Sequence, residues 1–435
     1  MDFHVEPSTI QNAEVDVPGD KSVSHRALML GSIATGTTEI SGFLAGEDCL
    51  ATLQAFRDMG VDITQHDATR LSVHGVGAAG LRAPEGPLDL GNSGTAMRLM
   101  AGVMAGQGFD SVLTGDESLT GRPMQRVISP LTEMGAAIES DCDGTPPLQI
   151  SGGLRLHGID YELPIASAQV KSCVLLAALF ANGQTTVLEP AVTRDHTERM
   201  LKAFGADIKV DGRTITLQGR QQLQGCPIDV PADLSSAAFV ILAVLLSKDA
   251  SVLIRNVGMN PTRTGVIDIL QAMGGDISLE NPRSLGEEPV ADLRVRSSAL
   301  TGGAVDPALV SLAIDEFPVI FVAAAAASGN TRFSGIGELR VKESDRIAAM
   351  ATGLRGLGIA VEEFEDGAIV HGGRFSGGEV ESFGDHRIAM SLAIAGTVAS
   401  GAVTVRDVAS VNTSFPGFID LMRDLGIQIG VESAP

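Results

Sequence analysis

Cationic side chains beside short turns rich in small residues are the parts of this sequence most able to do chemistry. Lys21, His25 and Arg26 follow a Pro-Gly-Asp turn at positions i, i+4 and i+5, which places all three at one end of a predicted helix. Comparable turns and helix starts carry the other candidates, which are Arg122, Ser167, Gln169, Lys171, Arg194, Lys342, Arg346 and Arg387. Because helix N-termini and Arg or Lys side chains both favour negative charge, these segments predict sites for small anions.

Two carboxylates accompany these cations in the second half of the chain. Asp315 stands just before Phe317-Pro318 and an apolar run, where an unpaired carboxylate is costly. Glu343 lies between Lys342 and Arg346. A helix cap at Asp315 and ordinary ion pairs at Glu343 are the structural alternatives. The functional interpretation depends on the recurrence of the cations at matching positions along the chain.

The overall charge argues against partners that require a basic surface. The sequence has 53 Asp and Glu against 31 Lys and Arg, a formal net charge of −22. Nucleic acids and anionic membranes attract cationic patches, so we expect neither as a partner. The longest apolar runs fall short of the about 20 residues of a membrane span, and the N-terminus lacks a basic stretch followed by an apolar one. We therefore expect a cytoplasmic protein.

Familiar metal and cofactor motifs are missing from the sequence. The cysteines Cys49, Cys142, Cys173 and Cys226 show neither a CxxC pair nor a metal-ligand spacing. Neither a GxxxxGK[ST] nor a GxGxxG loop is present, and there is no HExxH segment. We therefore expect no metal and no cofactor.

The candidate residues lie on a unit that occurs six times. Each copy has a small polar turn, an apolar helix, a β-rich segment, a second turn, a second helix, and a Gly followed by a short strand. The closing residues are Gly60, Gly135, Gly205, Gly274, Gly358 and Gly426, separated by 68 to 84 residues. A glycine just after a helix adopts positive φ at little cost, so we expect each of them to end a helix. The fourth unit, residues 229–277, supplies none of the candidates.

Eight segments spread in order over the chain form a recognisable set. They are residues 18–26 (PGDKSVSHR), 90–95 (LGNSGT), 120–124 (TGRPM), 166–172 (ASAQVKS), 315–318 (DEFP), 339–346 (LRVKESDR), 385–390 (DHRIAM) and 413–416 (TSFP). Together they resemble the enolpyruvyl transferase family, and within it the branch that uses shikimate 3-phosphate. The resemblance implies two inside-out α/β domains of three βαβαββ units each, with the active site in the interdomain cleft. It implies residues 1–18 and 229–435 for the first domain, and 19–228 for the second.

The same resemblance implies a reaction and a set of site residues. The enolpyruvyl group of phosphoenolpyruvate would be transferred to the 5-hydroxyl of shikimate 3-phosphate, with release of phosphate, in a monomer that needs no cofactor. The implied shikimate 3-phosphate site is Lys21, Ser22, Arg26, Ser167, Ala168, Gln169, Arg194, Asp315 and Lys342. The implied phosphoenolpyruvate site is Lys21, Gly94, Arg122, Gln169, Arg346 and Arg387. Asp315 is the implied base for the hydroxyl, and Glu343 and Lys21 are the implied proton-transfer groups.

Two departures and two alternatives accompany this interpretation. Thr413 stands where many family members carry Lys, and Ala168 stands where others have a second Ser. The branch that uses UDP-N-acetylglucosamine has a Cys in the loop before its Arg-Pro, whereas residues 116–121 contain none. A repeat protein that binds phosphorylated metabolites without catalysis is the alternative from another class. Such a protein would need neither Asp315 nor Glu343.

Overall fold

The computed structural model describes residues 1–432 and divides them into two domains. The first comprises residues 1–18, 231–284 and 289–432, and the second comprises 19–230 together with 285–288. The change of domain falls after Val230, two residues later than the sequence suggests, because Ile228–Asp229 pairs as an edge strand with the strand Thr35–Ser41 of the second domain. The assignment of residues 285–288 to the second domain has no counterpart in the sequence-based boundaries.

The helices follow the repeated pattern along both domains. They are α1 (Lys21–Ile33), α2 (Glu47–Asp58), α3 (Gly94–Ala105), α4 (Glu117–Thr120), α5 (Gln125–Glu133), α6 (Ala168–Ala178), α7 (His196–Ala203), α8 (Leu234–Leu246), α9 (Gly265–Ala272), α10 (Val310–Ala313), α11 (Phe317–Ala326), α12 (Arg346–Gly356), α13 (His386–Gly396) and α14 (Phe418–Asp424). Short 3-10 turns cover Cys142–Gly144, Pro307–Leu309, Gly337–Val341 and Ala409–Thr413. Each repeat therefore has one helix near its start and a second near its end.

The strands are short. They are β1 (Asp2–Val5), β2 (Ala13–Val15), β3 (Thr35–Ser41), β4 (Asp62–Gln65), β5 (Leu71–Val76), β6 (Leu88–Asp89), β7 (Ser111–Thr114), β8 (Ile138–Glu139), β9 (Leu148–Ile150), β10 (Asp160–Glu162), β11 (Gln184–Leu188), β12 (Ile208–Asp211), β13 (Thr214–Gln218), β14 (Ile228–Asp229), β15 (Ser251–Gly258), β16 (Asp276–Leu285), β17 (Glu288–Arg296), β18 (Asn330–Ser334), β19 (Val361–Phe364), β20 (Gly367–His371), β21 (Gly378–Glu381), β22 (Val403–Arg406) and β23 (Ile429–Glu432). Within residues 1–432 they form six small sheets, one for each repeat of the sequence.

The sheets share one topology, which confirms the six-fold repetition. The second domain contains the strand orders β14-β3-β5-β4, β6-β7-β9-β8 and β10-β11-β13-β12. The first contains β2-β15-β17-β16, β18-β20-β19 and β21-β22-β1-β23. In each four-stranded sheet the first-named strand is parallel to its neighbour, and the next pair is antiparallel. A parallel pair requires a crossover connection, which α3, α6 and α13 supply in the sheets that begin with β6, β10 and β21.

One helix of each repeat lies inside its domain. Helices α1, α3 and α6 of the second domain, and α8, α11 and α13 of the first, are buried along almost their whole length. A helix that is apolar on all sides must be enclosed, so the sheets lie outside these helices and each domain has its own core. This arrangement is the inside-out α/β fold expected from the motifs. Among residues 1–432, none of the helices has the length and apolar character needed to cross a membrane.

The ends of the helices agree with the sequence pattern. All six closing glycines, at 60, 135, 205, 274, 358 and 426, have φ between 83° and 100°, which only glycine adopts without strain. At the opposite ends, Asp20, Ser93, Ser167, Asp233 and Asp385 each accept a hydrogen bond from a main-chain N–H in the first turn of a buried helix. Five buried helices thus begin at a capped, polar turn.

Candidate active site

The starts of the three buried helices of the second domain meet one another. Ser93 Oγ, before α3, lies 3.4 Å from Nε2 of His25 on α1. Gln169, in the first turn of α6, donates from Nε2 to Thr95 Oγ1 on α3 over 3.1 Å. Converging N-termini bring the positive ends of three helix dipoles together, which favours an anion. The cationic and amide side chains at these starts and in the adjoining turns form the second-domain cluster, defined as Lys21, Arg26, Arg98, Arg122, Gln169 and Arg194.

Lys21 is the first residue of α1 and already has an acidic partner. Its Nζ lies 2.7 Å from Oδ2 of Asp48, a buried carboxylate in the first turn of α2. Asp20 caps the same helix start by accepting from Val23 N–H over 2.9 Å. The Lys21 side chain is 19% exposed, so a bound anion can reach the ammonium group that Asp48 orients. Ser22 follows it on the same half-buried turn.

His25 does not belong with the cations of this turn. Its ring is buried, and Nδ1 lies 2.8 Å from Thr52 Oγ1. Burial, and then the charges of Lys21 and Arg26, lower the pKa of His25 well below its usual value. The imidazole is therefore neutral at pH 7, and its sharing of one helix end with Lys21 and Arg26 contributes packing and hydrogen bonds rather than charge.

All three nitrogen atoms of the Arg26 guanidinium donate hydrogen bonds within the protein. It donates from Nε to Thr197 Oγ1 over 2.7 Å, from Nη2 to Ser172 Oγ over 2.8 Å, and from Nη1 to the carbonyl of Ser22 over 2.9 Å. Burial is the main reason why its pKa falls to about 10, and the nearby charge of Arg194 lowers it further. Arg26 thus remains cationic at pH 7 and ties α1 to α6 and α7. The effect of Arg194 on its pKa places these two predicted site residues close together.

Arg98 is a neighbour of the predicted site residues that the sequence interpretation missed. It lies on α3, four residues after Gly94, and donates from Nη1 to Gln169 Oε1 over 2.7 Å. A Cβ atom at Gly94 would meet Arg98 Nη1 at 3.0 Å and Arg122 Nη1 at 3.1 Å. Gly94, Gln169 and both arginines are therefore one group of neighbours. The sequence feature that could have identified Arg98 is its position one helical turn beyond the Gly-Asn-Ser-Gly-Thr segment.

Arg122 is held in its turn by two neutral acceptors. Its Nη2 donates to Asn92 Oδ1 over 2.5 Å and to Ser118 Oγ over 3.1 Å. The side chain is buried. A buried guanidinium held in position by hydrogen bonds is well suited to a fork-like interaction with a phosphate or carboxylate.

Lys171 has a structural role in place of the anion-binding role that its position suggested. Its Nζ lies 3.0 Å from Glu189 Oε1 and 2.7 Å from Glu198 Oε1, and all three side chains are buried. It also lies 3.4 Å from the carbonyl of Thr193, the residue before Arg194. The ammonium group is therefore directed at the protein, where it fixes the Arg194 turn against α6. Ser167 and Ala168 remain half-buried at the start of that helix.

The first domain contains a second group of charges around the start of α12. Arg346 begins this helix with its side chain 1% exposed. Its Nε lies 2.8 Å from Asp385 Oδ2, its Nη2 lies 2.6 Å from Glu343 Oε2, and its Nη1 lies 3.4 Å from Asp315 Oδ1. Burial alone would lower the pKa of Arg346, but the three carboxylates outweigh it and raise that pKa above its usual value. Arg346 therefore stays cationic and is surrounded by three carboxylates.

Asp315 and Glu343, the two predicted catalytic carboxylates, contact the same guanidinium. Lys342 also approaches Asp315, with 3.6 Å between Nζ and Oδ1. All three of these side chains are partly exposed, at 17% to 26%, in contrast to Arg346. The structure thus brings together the four candidates of the fifth repeat, with the carboxylates on the accessible side of a buried cation.

Arg387 connects this group to residues of the fourth repeat. It lies in the first turn of α13, where its Nη1 is 3.7 Å from Glu316 Oε1 and its Nη2 is 3.4 Å from Ser235 Oγ. Arg263 lies next to the same two groups. Sequence reasoning assigned nothing to the fourth repeat, and the Asp-Leu-Ser-Ser segment at 233–236 was the only hint of a polar helix start there. The first-domain cluster is defined as Ser235, Arg263, Asp315, Glu316, Lys342, Glu343, Arg346, Asp385 and Arg387.

Thr413 supplies no cation at the position where the resemblance implied Lys. It ends the 3-10 turn Ala409–Thr413, is buried, and donates from Oγ1 to the carbonyl of Ser410 over 2.7 Å. In the described part of the chain, no group of three or more His, Cys, Asp or Glu side chains is placed to hold a metal ion.

Comparisons with known proteins agree with this fold. A sequence model of the EPSP synthase family (3-phosphoshikimate 1-carboxyvinyltransferase) matches residues 5–422. The 3-phosphoshikimate 1-carboxyvinyltransferase of Alkalilimnicola ehrlichii is 58% identical over 430 residues, which cover 99% of this chain and 96% of that protein. The structure of EPSP synthase from Acinetobacter baumannii superposes with a TM-score of 0.88 at 51% identity, covering 99% of this chain and 100% of the other.

A more distant structure shares the fold. The enolpyruvyl transferase NikO from Streptomyces tendae superposes with a TM-score of 0.80 at 16% identity, covering 100% of this chain and 99% of the other. The six inside-out repeats are accordingly those of an enolpyruvyl transferase. Within that class, the chain belongs to the EPSP synthase family, which confirms the resemblance drawn from its motifs.

Proposed function

We propose that the protein joins phosphoenolpyruvate to the 5-hydroxyl of shikimate 3-phosphate and releases phosphate, using both charged clusters. The observation that carries this assignment of roles is the contact of Asp315 and Glu343 with the single buried guanidinium of Arg346. A binding protein for phosphorylated metabolites needs cations, but it does not need two carboxylates beside them. A transferase that moves protons needs both.

The reaction requires an acid and a base because the C–O bond of the enol phosphate must break. Protonation of the methylene carbon leaves a cationic carbon, and the 5-hydroxyl oxygen attacks that carbon while losing its proton. The tetrahedral intermediate then loses phosphate, and the new methyl group returns a proton to restore the enol. General acid–base groups supply about 10²–10⁴ in rate to such steps. We assign the hydroxyl proton to Asp315 and the methylene proton to Glu343 with Lys21.

The cations of the two clusters bind the anionic groups of the substrates. We assign shikimate 3-phosphate to Lys21, Ser22, Arg26, Ser167, Ala168, Gln169, Arg194, Asp315 and Lys342. We assign phosphoenolpyruvate to Lys21, Gly94, Arg122, Gln169, Arg346 and Arg387, and Arg98 joins this set because it contacts Gln169. Hydrogen bonds to charged groups contribute roughly 1.5–3 kcal/mol each, enough to orient both substrates.

Two cations hold the proposed base in position. Arg346 and Lys342 lie 3.4 Å and 3.6 Å from Asp315 Oδ1. We propose that the partly exposed carboxylate of Asp315 accepts the proton of the 5-hydroxyl from this position.

Acceptor choice tests the assignment directly. The protein is mixed with phosphoenolpyruvate and either shikimate 3-phosphate or UDP-N-acetylglucosamine, and inorganic phosphate is followed over time. We expect phosphate release when shikimate 3-phosphate is the acceptor, and none when UDP-N-acetylglucosamine is the acceptor. Release only with the sugar nucleotide would overturn the proposed acceptor, and release with neither would overturn the proposed reaction.

We further propose that the protein acts as a monomer in the cytoplasm. The candidate residues all come from one chain, and the net charge of −22 opposes self-association and binding to anionic surfaces. Light scattering during gel filtration should give the mass of one 45.0 kDa chain. A dimer mass at micromolar concentration would contradict the monomer.

A further inference from the structure

We infer that Arg263, Glu316 and Ser235 form a positioning network for Arg387, through which the fourth repeat contributes to phosphoenolpyruvate binding. The inference rests on the proposed role of Arg387 and adds the residues that set its orientation and charge. The motif resemblance assigned no role to Arg263, Glu316 or Ser235.

Glu316 is the acidic centre of this network. Its side chain is 1% exposed, and its Oε1 accepts from Ser235 Oγ while lying 3.6 Å from Arg263 Nη2 and 3.7 Å from Arg387 Nη1. Its Oε2 is also buried, with no hydrogen-bond partner among residues 1–432. A buried carboxylate is costly unless cations compensate it, so Glu316 strongly attracts any cation that can reach it.

Arg263 fixes one side of Glu316. It is 3% exposed and donates from Nη2 to Ser235 Oγ over 2.6 Å and to Asp233 Oδ1 over 3.2 Å. Asp233 in turn caps α8 by accepting from Ser235 N–H over 3.1 Å. Arg263 is therefore tied to the start of α8, and its position does not depend on a substrate.

Arg387 occupies the other side and remains partly available. Its side chain is 11% exposed, and its distance of 3.7 Å from Glu316 is longer than a hydrogen bond. Because Arg263 already shares the charge of Glu316, Arg387 does not have to move into a close pair with that carboxylate. Its guanidinium can then donate to an anionic ligand instead.

Removal of Arg263 should reverse this balance. Glu316 would then attract Arg387 more strongly, and the four charges of Asp233, Glu316, Arg263 and Arg387 would change from neutral to a net −1. Both effects act against an anion bound by Arg387, whereas they do not involve the shikimate 3-phosphate residues of the second domain. Removal of the charge of Glu316 as well should restore neutrality and free Arg387.

The test is a charge-rescue series in the full-length protein. Arg263→Gln should raise KM for phosphoenolpyruvate about tenfold, a size typical of coupling within one charged network, with KM for shikimate 3-phosphate nearly unchanged. Arg263→Gln combined with Glu316→Gln should recover most of the loss. Ser235→Ala, a smaller change that keeps every charge, should raise KM for phosphoenolpyruvate severalfold and guards against poor folding of the arginine variant.

Matched controls separate positioning from stability. Arg355 lies in the last turn of α12 and forms an ion pair with Glu363 at 2.7 Å. Arg355→Gln also removes an arginine from an ion pair, but it should leave both KM values unchanged. Equal increases in both KM values, or the absence of rescue in the double variant, would overturn the network. Failure of the unmodified protein to release phosphate with shikimate 3-phosphate would instead overturn the proposed function, so the two failures are distinct.

Discussion

Arg346 and Asp385 form a buried ion pair, with 2.8 Å between Nε and Oδ2 and with both side chains 1% exposed or less. The pair joins the start of α12 to the start of α13, where Asp385 also accepts from Arg387 N–H over 2.9 Å. One carboxylate therefore fixes two arginines assigned to phosphoenolpyruvate, one through its side chain and the other through its main chain.

Asp385→Ala should destabilise the protein strongly. Removal of one partner of a buried ion pair typically costs about 3–5 kcal/mol, and Asp385 is the most deeply buried of the three carboxylates around Arg346. Urea denaturation should show this loss in the free energy of unfolding. Glu363→Ala removes the partner of Arg355 in a partly exposed pair and should cost less than about 1 kcal/mol. Equal losses in the two variants would contradict the structural importance of Asp385.

Local features of the fold were predictable from the sequence because they depend on neighbouring residues. The closing glycines and the polar starts of the buried helices are set by backbone geometry within one turn. Their near-regular spacing was therefore enough to count the repeats. The pairing of Ile228–Asp229 with β3 joins segments far apart in the chain, so neighbouring residues could not predict it.

The partners of the charged residues were not predictable in the same way. Lys171 and Arg122 looked alike as cations beside turns, yet Lys171 contacts two buried carboxylates whereas Arg122 contacts Asn92 and Ser118. Likewise, Arg263 gains its role from Glu316, which belongs to the following repeat. These differences arise from tertiary contacts within and between repeats, and one sequence does not report them.

The buried imidazole of His25 should make stability depend on pH. Its folded-state pKa lies well below its unfolded value near 6.5, so the unfolded chain binds the extra proton between these two values. Folding stability attributable to His25 is therefore present above pH 7 and falls with decreasing pH by about 1.4 kcal/mol per unit. The difference in unfolding free energy between the unmodified protein and His25→Asn should change by this slope from pH 6.5 to 5. Parallel curves would contradict a neutral buried ring.

Arg122→Ala should weaken the binding of phosphoenolpyruvate specifically. Loss of charged hydrogen bonds from a buried guanidinium corresponds to about 10- to 150-fold in affinity. Calorimetric titration with each substrate measures the effect, and shikimate 3-phosphate should bind with nearly its original affinity. Arg155→Ala, which removes an exposed cation from the same domain, serves as the control. A parallel loss for both substrates would contradict the assignment of Arg122.

Asp315→Asn tests the central assignment most directly, because it removes the proton acceptor while keeping the size of the side chain. Phosphate release from phosphoenolpyruvate and shikimate 3-phosphate should fall by about 10²–10⁴, while the affinity for shikimate 3-phosphate stays within a few-fold. This combination is the expected result for a base that acts on a bound hydroxyl. Turnover close to that of the unmodified protein would contradict the assignment of Asp315.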